Sequence, residues 1–141
     1  MTTETMTSPM MIRNSFGLLA ERAAVAVPMF FGRLFELAPH VRPLFPGDMT
    51  AHQGKFTMML VWVVARVDRP DELVPALRDL GARHHRYGVT SEMFEPAWAA
   101  LIYTFHNVLG DAFTLETEAC WLSVLEVIAT EMERGAEDSL R

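Results

Sequence analysis

The sequence predicts an all-helical domain, and three observations carry that reading. Apolar residues recur at steps of three and four along successive stretches, and none keeps the alternating step of a half-buried strand. Clusters of proline, glycine and acidic residues separate those stretches. At 141 residues, half of them apolar, the chain is long enough for a single hydrophobic core and short for two.

Residues 12–35 carry Ile12, Phe16, Leu19, Ala20, Ala23, Ala24 and Val27, then Phe30, Phe31, Leu34 and Phe35, enough for two helices. Pro28 removes a backbone donor and crowds the preceding turn, so it lies early in the second helix or bends it. Residues 1–11 read as a flexible tail ahead of a domain spanning 12–132, and residues 133–141 as a frayed end. Pro39, Pro43, Pro46 and Gly47 make residues 37–48 a loop through which no helix is expected to run. Leu44 and Phe45 inside it are expected to press on the core.

His52, Phe56, Met59, Leu60, Val63 and Val67 then form one stripe of a strongly apolar helix. Asp68-Arg69-Pro70-Asp71-Glu72 breaks the chain and starts the next helix, with proline and acids in the first turn where they are favoured. On that helix Leu73, Leu77, Leu80, His84 and Tyr87 face the core, while His85 lies about 100° round with Arg78, Ala82 and Arg86 on a solvated face. Gly88 stops it. Ser91 is placed to cap a helix whose inner face holds Phe94, Ala97, Trp98, Leu101, Ile102, Phe105 and Val108, ended by Gly110-Asp111. Thr114 caps the last helix, with Cys120, Trp121, Val124, Val127 and Ile128 inward.

A net charge of -6 without a basic cluster disfavours nucleic acid as a partner. The longest near-apolar run, residues 56–65, is far short of the roughly 18 needed to cross a bilayer. One cysteine, Cys120, permits no internal disulfide, and residues 1–11 lack the pattern of a secretory signal, which points to the cytoplasm.

Chemistry concentrates on two histidines. His52 begins one core-facing stripe and His84 ends the next; helices joined by a short breaker tend to be neighbours, so both imidazoles are expected at one pocket. A buried imidazole needs a hydrogen-bond partner or a metal, and the local side chains offer no evident partner. An ordinary core histidine is the bland alternative. Zinc fits less well, because no third ligand stands at metal spacing, and Cys120 has no histidine nearby in sequence to make it a nucleophile. A flat cofactor such as haem, needing a neutral imidazole and an apolar slot, suits the pair.

A set of pieces in order then resembles a family. Leu34-Phe35 followed by Pro39, Leu44-Phe45, the stretch from His52 to Phe56, Asp79-Leu80-Gly81-Ala82-Arg83-His84, Tyr87-Gly88-Val89, Leu109-Gly110-Asp111-Ala112-Phe113-Thr114 and Trp121 resemble the globins, specifically single-domain bacterial globins related to the haem domain of flavohaemoglobins. The likeness implies a globin fold, a 3-over-3 helical sandwich around a haem b pocket. It implies His84 as the proximal iron ligand, Phe45 packed on the haem face, His52 in the distal position, and Lys55 or Arg83 near a propionate. Phe31 and Phe56 would line the distal side, and Leu80, Tyr87, Val89 and Phe94 the proximal side.

The chain departs from those relatives in ways that bear on function. Phe31 stands where a tyrosine commonly donates to bound oxygen, His52 where glutamine is common, and Phe56 where a smaller leucine is usual. Phe94 replaces a tyrosine that joins a glutamate near the proximal imidazole, a part left here to Glu133 or Glu137. Trp98 falls where relatives often have glycine. The resemblance implies reversible binding of a diatomic gas, oxygen or nitric oxide, by a monomer or homodimer. The alternative is a haem-dependent oxidoreductase, a nitric oxide dioxygenase, peroxidase-like or biosynthetic enzyme, with His52 as its distal catalytic residue and a separate reductase as partner.

Overall fold

The computed structural model describes residues 8–140, which form six α-helices and three short 3-10 segments. α1 (Ser8–Ala20) begins inside the expected tail: Met11 and Ile12 are buried, and their burial extends the helix back to Ser8. Residues 1–7 of that tail lie outside the described residues. α1 is pinned through Ser15, whose hydroxyl donates to the Met11 carbonyl at 2.7 Å and accepts from the Trp121 indole N–H at 2.8 Å. Both groups are buried, and this pairing satisfies them.

α2 (Ala23–Leu37) runs through Pro28 in its second turn. Pro28 and Ala24, whose carbonyl loses a donor, are both exposed, so the proline lies on the solvent face of the helix. The proline-rich loop is helical after all, as a 3-10 segment at Pro39–Leu44. Pro39 sits at its start, where a missing N–H costs nothing, and the turn is short enough to tolerate Pro43. α3 (Met49–Ala65) starts before His52, because the Asp48 carboxylate accepts from the Thr50 N–H at 3.0 Å and caps it.

α4 (Pro70–Arg86) has Pro70, Asp71 and Glu72 in its first turn as expected. Its end is a Schellman motif: the Val89 N–H donates to the His84 carbonyl and the Gly88 N–H to the His85 carbonyl, both at 3.0 Å, with Gly88 at φ 92. The helix therefore closes one residue before Tyr87, which is 77% exposed rather than core-facing. A 3-10 turn, Ser91–Met93, precedes α5 (Phe94–Leu109), and Ser91 makes no side-chain cap. Thr114 does cap α6 (Leu115–Asp138), accepting from the Thr117 N–H at 3.1 Å.

The expected frayed end is instead the last quarter of α6. Glu131, Met132 and Gly135 are buried against α4, and that packing holds the helix to Asp138. Val127, expected inward, is 45% exposed. The core is joined by aromatic rings from α5, α6 and their connection: Phe105 stacks on Phe113 at 4.6 Å and meets Trp121 at 4.8 Å. α2 packs on α5, α1 on α6, and α4 most closely on α6. In that last crossing, a Cβ on Gly81 would stand 2.0 Å from the Met132 carbonyl oxygen, and one on Gly135 would stand 1.8 Å from that of Arg78. Only glycine permits the two backbones to meet so closely.

Candidate functional site

His84 occupies the last turn of α4, half-buried. Its Nδ1 lies 2.8 Å from the Leu80 carbonyl oxygen, one turn back. A carbonyl only accepts, so Nδ1 carries the proton and Nε2 keeps its lone pair. The partner that the side-chain pattern did not supply is thus the helix's own backbone. Burial pushes the His84 pKa below its ordinary value, the Leu80 bond opposes this, and the Arg83 charge adds to the fall. The imidazole is held neutral with one nitrogen free, the state in which histidine binds a metal.

A second cluster is aromatic. Phe31 on α2, 3% exposed, meets Phe45 and Phe56 edge-on, each at 5.5 Å between ring centroids. Phe45 meets Phe35 at 5.7 Å and the His52 ring at 5.4 Å, so the loop's apolar pair does press inward. Phe30 stacks on Phe56 at 4.4 Å and touches Phe31 at 5.0 Å. Phe30 and Phe35 are members of this cluster that the sequence reading placed only in the general core. Their signal was present in the aromatic density of residues 30–35, but which of those rings turn toward Phe56 and Phe45 depends on how α3 crosses α2.

His52 is half-buried, and its Nε2 donates to the Pro46 carbonyl at 2.7 Å. The ring is therefore tied to the loop before α3 in this conformation. α4 rests on α6 rather than on α3, so the expectation that α3 and α4 pack as neighbours is not met.

Other expected residues are distributed around these two. Leu80 and Val89 are half-buried, Leu80 supplying the carbonyl and Val89 the amide that closes the His84 turn. Phe94 is half-buried and stacks on Trp98 at 5.8 Å, which makes these rings packing partners of each other. Lys55 is exposed, and Arg83 is exposed and paired with Asp79 at 3.1 Å. Tyr87 lies just past the end of α4 and is exposed. Glu133 and Glu137 are exposed; the buried carboxylate of α6 is Glu131, held by Arg78 at 2.9 Å and Arg134 at 3.0 Å.

The donor set suits haem better than a protein-only metal site. The fold carries one neutral imidazole and a phenylalanine cluster, and no group of three or more His, Cys, Asp or Glu is gathered for a metal among the described residues. An all-helical fold with one neutral, half-buried imidazole at a helix end and a separate phenylalanine cluster is compatible with a helical haem protein.

The comparisons specify the class. The chain belongs to the globin family, whose model, described as Globin, matches residues 28–132. Neuroglobins of Tetraodon nigroviridis and Danio rerio are each 27% identical over 139 residues, spanning 89% of this chain and 87% of theirs. In fold the chain is similar to an engineered carbene transferase, a candidate nitric oxide dioxygenase from Rhodothermus marinus. The TM-score is 0.81 at 23% identity, over 98% of this chain and 96% of that one. The all-helical globin architecture expected from the sequence is thus the one found, and globins bind haem and small gas ligands. No described helix is long and apolar enough to cross a membrane.

Proposed function

We propose that this globin binds haem b with His84 Nε2 as the proximal iron ligand and reversibly binds a diatomic gas, oxygen or nitric oxide, on the opposite face. The observation that carries the assignment is the 2.8 Å bond from His84 Nδ1 to the Leu80 carbonyl, which fixes the tautomer and orients the ring. Haem, held by His84, would supply an iron able to bind a diatomic gas reversibly. Phe31, Phe45 and Phe56 form an apolar wall that excludes water and offers no hydrogen bond, so polar stabilisation of the gas falls to His52. For that, the imidazole must leave the Pro46 carbonyl and turn inward. Lys55 and Arg83, both exposed, are the cations this reading assigns to the propionates.

Reconstitution with haem tests this reading. The wild type should show a Soret band and carbon monoxide binding, and His84→Ala should lose the five-coordinate ferrous spectrum. A wild type without a Soret band would refute it. His52→Ala should leave the resting ferric spectrum unchanged, because His52 is engaged by Pro46, while raising the oxygen dissociation rate by about tenfold or more. A low-spin ferric spectrum in the wild type that becomes high-spin in His52→Ala would place that imidazole on the iron.

A haem-dependent oxidoreductase served by a separate reductase is the second reading, and the crowding of Phe45 and Phe56 about Phe31 favours small apolar substrates for it. Rapid mixing of the oxygenated protein with nitric oxide decides: nitrate with ferric haem supports a dioxygenase, and its absence removes that role. We also infer a cytoplasmic setting, which the single cysteine supports.

A further inference from the structure

We infer that the α4–α6 crossing sets the position of His84, with Glu131 as its positioning residue acting through Arg78; this rests on the reading of His84 as the iron ligand. α4 has little main-chain support from α3, so its place in the fold is decided by α6. Gly81 and Gly135 are in backbone contact with Met132 and Arg78, and no side chain lies between them to act as a cushion. Gly81 follows Leu80, whose carbonyl holds the His84 ring, so a shift of α4 on α6 moves ring and anchor together.

Leu73 and Leu77 of α4 belong to the same buried core as Leu125, Ile128 and Met132 of α6, while the two glycines offer no ridge to engage a groove. A directional bond across the crossing comes from Glu131. Its side chain is 11% exposed and its two oxygens are divided: Oε1 accepts from Arg78 on α4 at 2.9 Å, and Oε2 accepts from Arg134 on α6 at 3.0 Å. Charge-assisted bonds of this kind are directional and strong when partly buried. The Arg78 to Glu131 bond is therefore the cross-helix pin, and Arg134 orients the carboxylate that makes it. Arg83–Asp79, within α4 and exposed, has no such reach across the crossing.

The test uses haem-loaded wild type, Glu131→Gln and Arg78→Met, with Asp68→Asn as control because it breaks an ion pair of α1 with the α3–α4 connection instead. The iron–histidine stretching band of the ferrous form reports the geometry at His84, and backbone amide exchange reports how firmly α4 is held. Both variants should shift or broaden the band and speed exchange in α4 by about tenfold, with the control unchanged. Should Glu131→Gln fail to fold, Arg78→Met carries the same readouts, its side chain being 45% exposed. A band and α4 exchange that match the wild type in haem-loaded variants, or that change equally in the control, overturn this inference alone. A wild type that takes up no haem overturns the ligand reading and this inference with it.

Discussion

His84 Nδ1 lies 2.8 Å from the carbonyl oxygen of Leu80 on the same helix, and the same His84 offers its own carbonyl to the Val89 amide at 3.0 Å. Side chain and backbone of one residue are thereby fixed by the turn before it and the turn after it. The ring is held at the end of α4, where the helix stops and Nε2 is clear of it.

Replacing His84 with glycine removes the one nitrogen so held. Haem retention should fall by about 100-fold or more, and free imidazole added to the variant should restore the five-coordinate ferrous spectrum. Optical titration with haem checks both. Retention equal to wild type would show that another residue carries the iron.

The pKa of His84 lies below its ordinary 6.5, with burial as the chief cause. The unfolded chain then binds this proton more readily than the folded chain. In the haem-free protein the group adds no pH dependence well above 6.5, and stability falls as pH drops through 6.5 toward the lower folded value. Urea midpoints from about pH 5 to about pH 8 should fall more steeply on acidification in wild type than in His84→Gln. Equal slopes would contradict it.

Two glycine-to-alanine changes should act in opposite directions. Gly81→Ala places a methyl 2.0 Å from the Met132 carbonyl and should cost about 3 kcal/mol, seen as a Tm lower by about 10 °C. Gly54→Ala, on α3 with nothing within 4 Å of the new methyl, should stabilise by about 0.5–1 kcal/mol through helix propensity. Thermal melts of the two side by side are the check, and Gly81→Ala melting with wild type would deny the close crossing.

Ser15→Ala leaves the Trp121 indole N–H buried without its acceptor and should cost about 1–3 kcal/mol. Chemical denaturation followed by tryptophan fluorescence measures it. A change below the error of the midpoint would mean that water reaches the indole.

The elements most legible in the sequence were those whose cause is local. Pro70 with Asp71 and Glu72 begins α4, Gly88 at φ 92 ends it, and Thr114 caps α6, each through bonds within a few residues. His84 was legible as inward because its stripe with Leu73, Leu77 and Leu80 is a property of the helix alone, and His85 is exposed as that face requires. One miss has a non-local cause. Residues 133–138 look polar enough to fray, yet Gly135 meets Arg78 on α4 and the helix stays intact. Tyr87 keeps the stripe's spacing, but the Schellman turn takes it out of register.

The sequence by itself determined an all-helical globin, the inward histidine of α4 and the loop residues Leu44 and Phe45 that cover the core. Periodicity, capping and breakers act over one or two turns and need no partner. The tertiary structure alone decided that Phe30 and Phe35 join Phe31, Phe45 and Phe56, that His52 bonds the Pro46 carbonyl, and that α4 is seated on α6. Those outcomes depend on where one helix meets another, and the meeting of Gly81 with Met132 is set by backbone shape, which no spacing of apolar residues records.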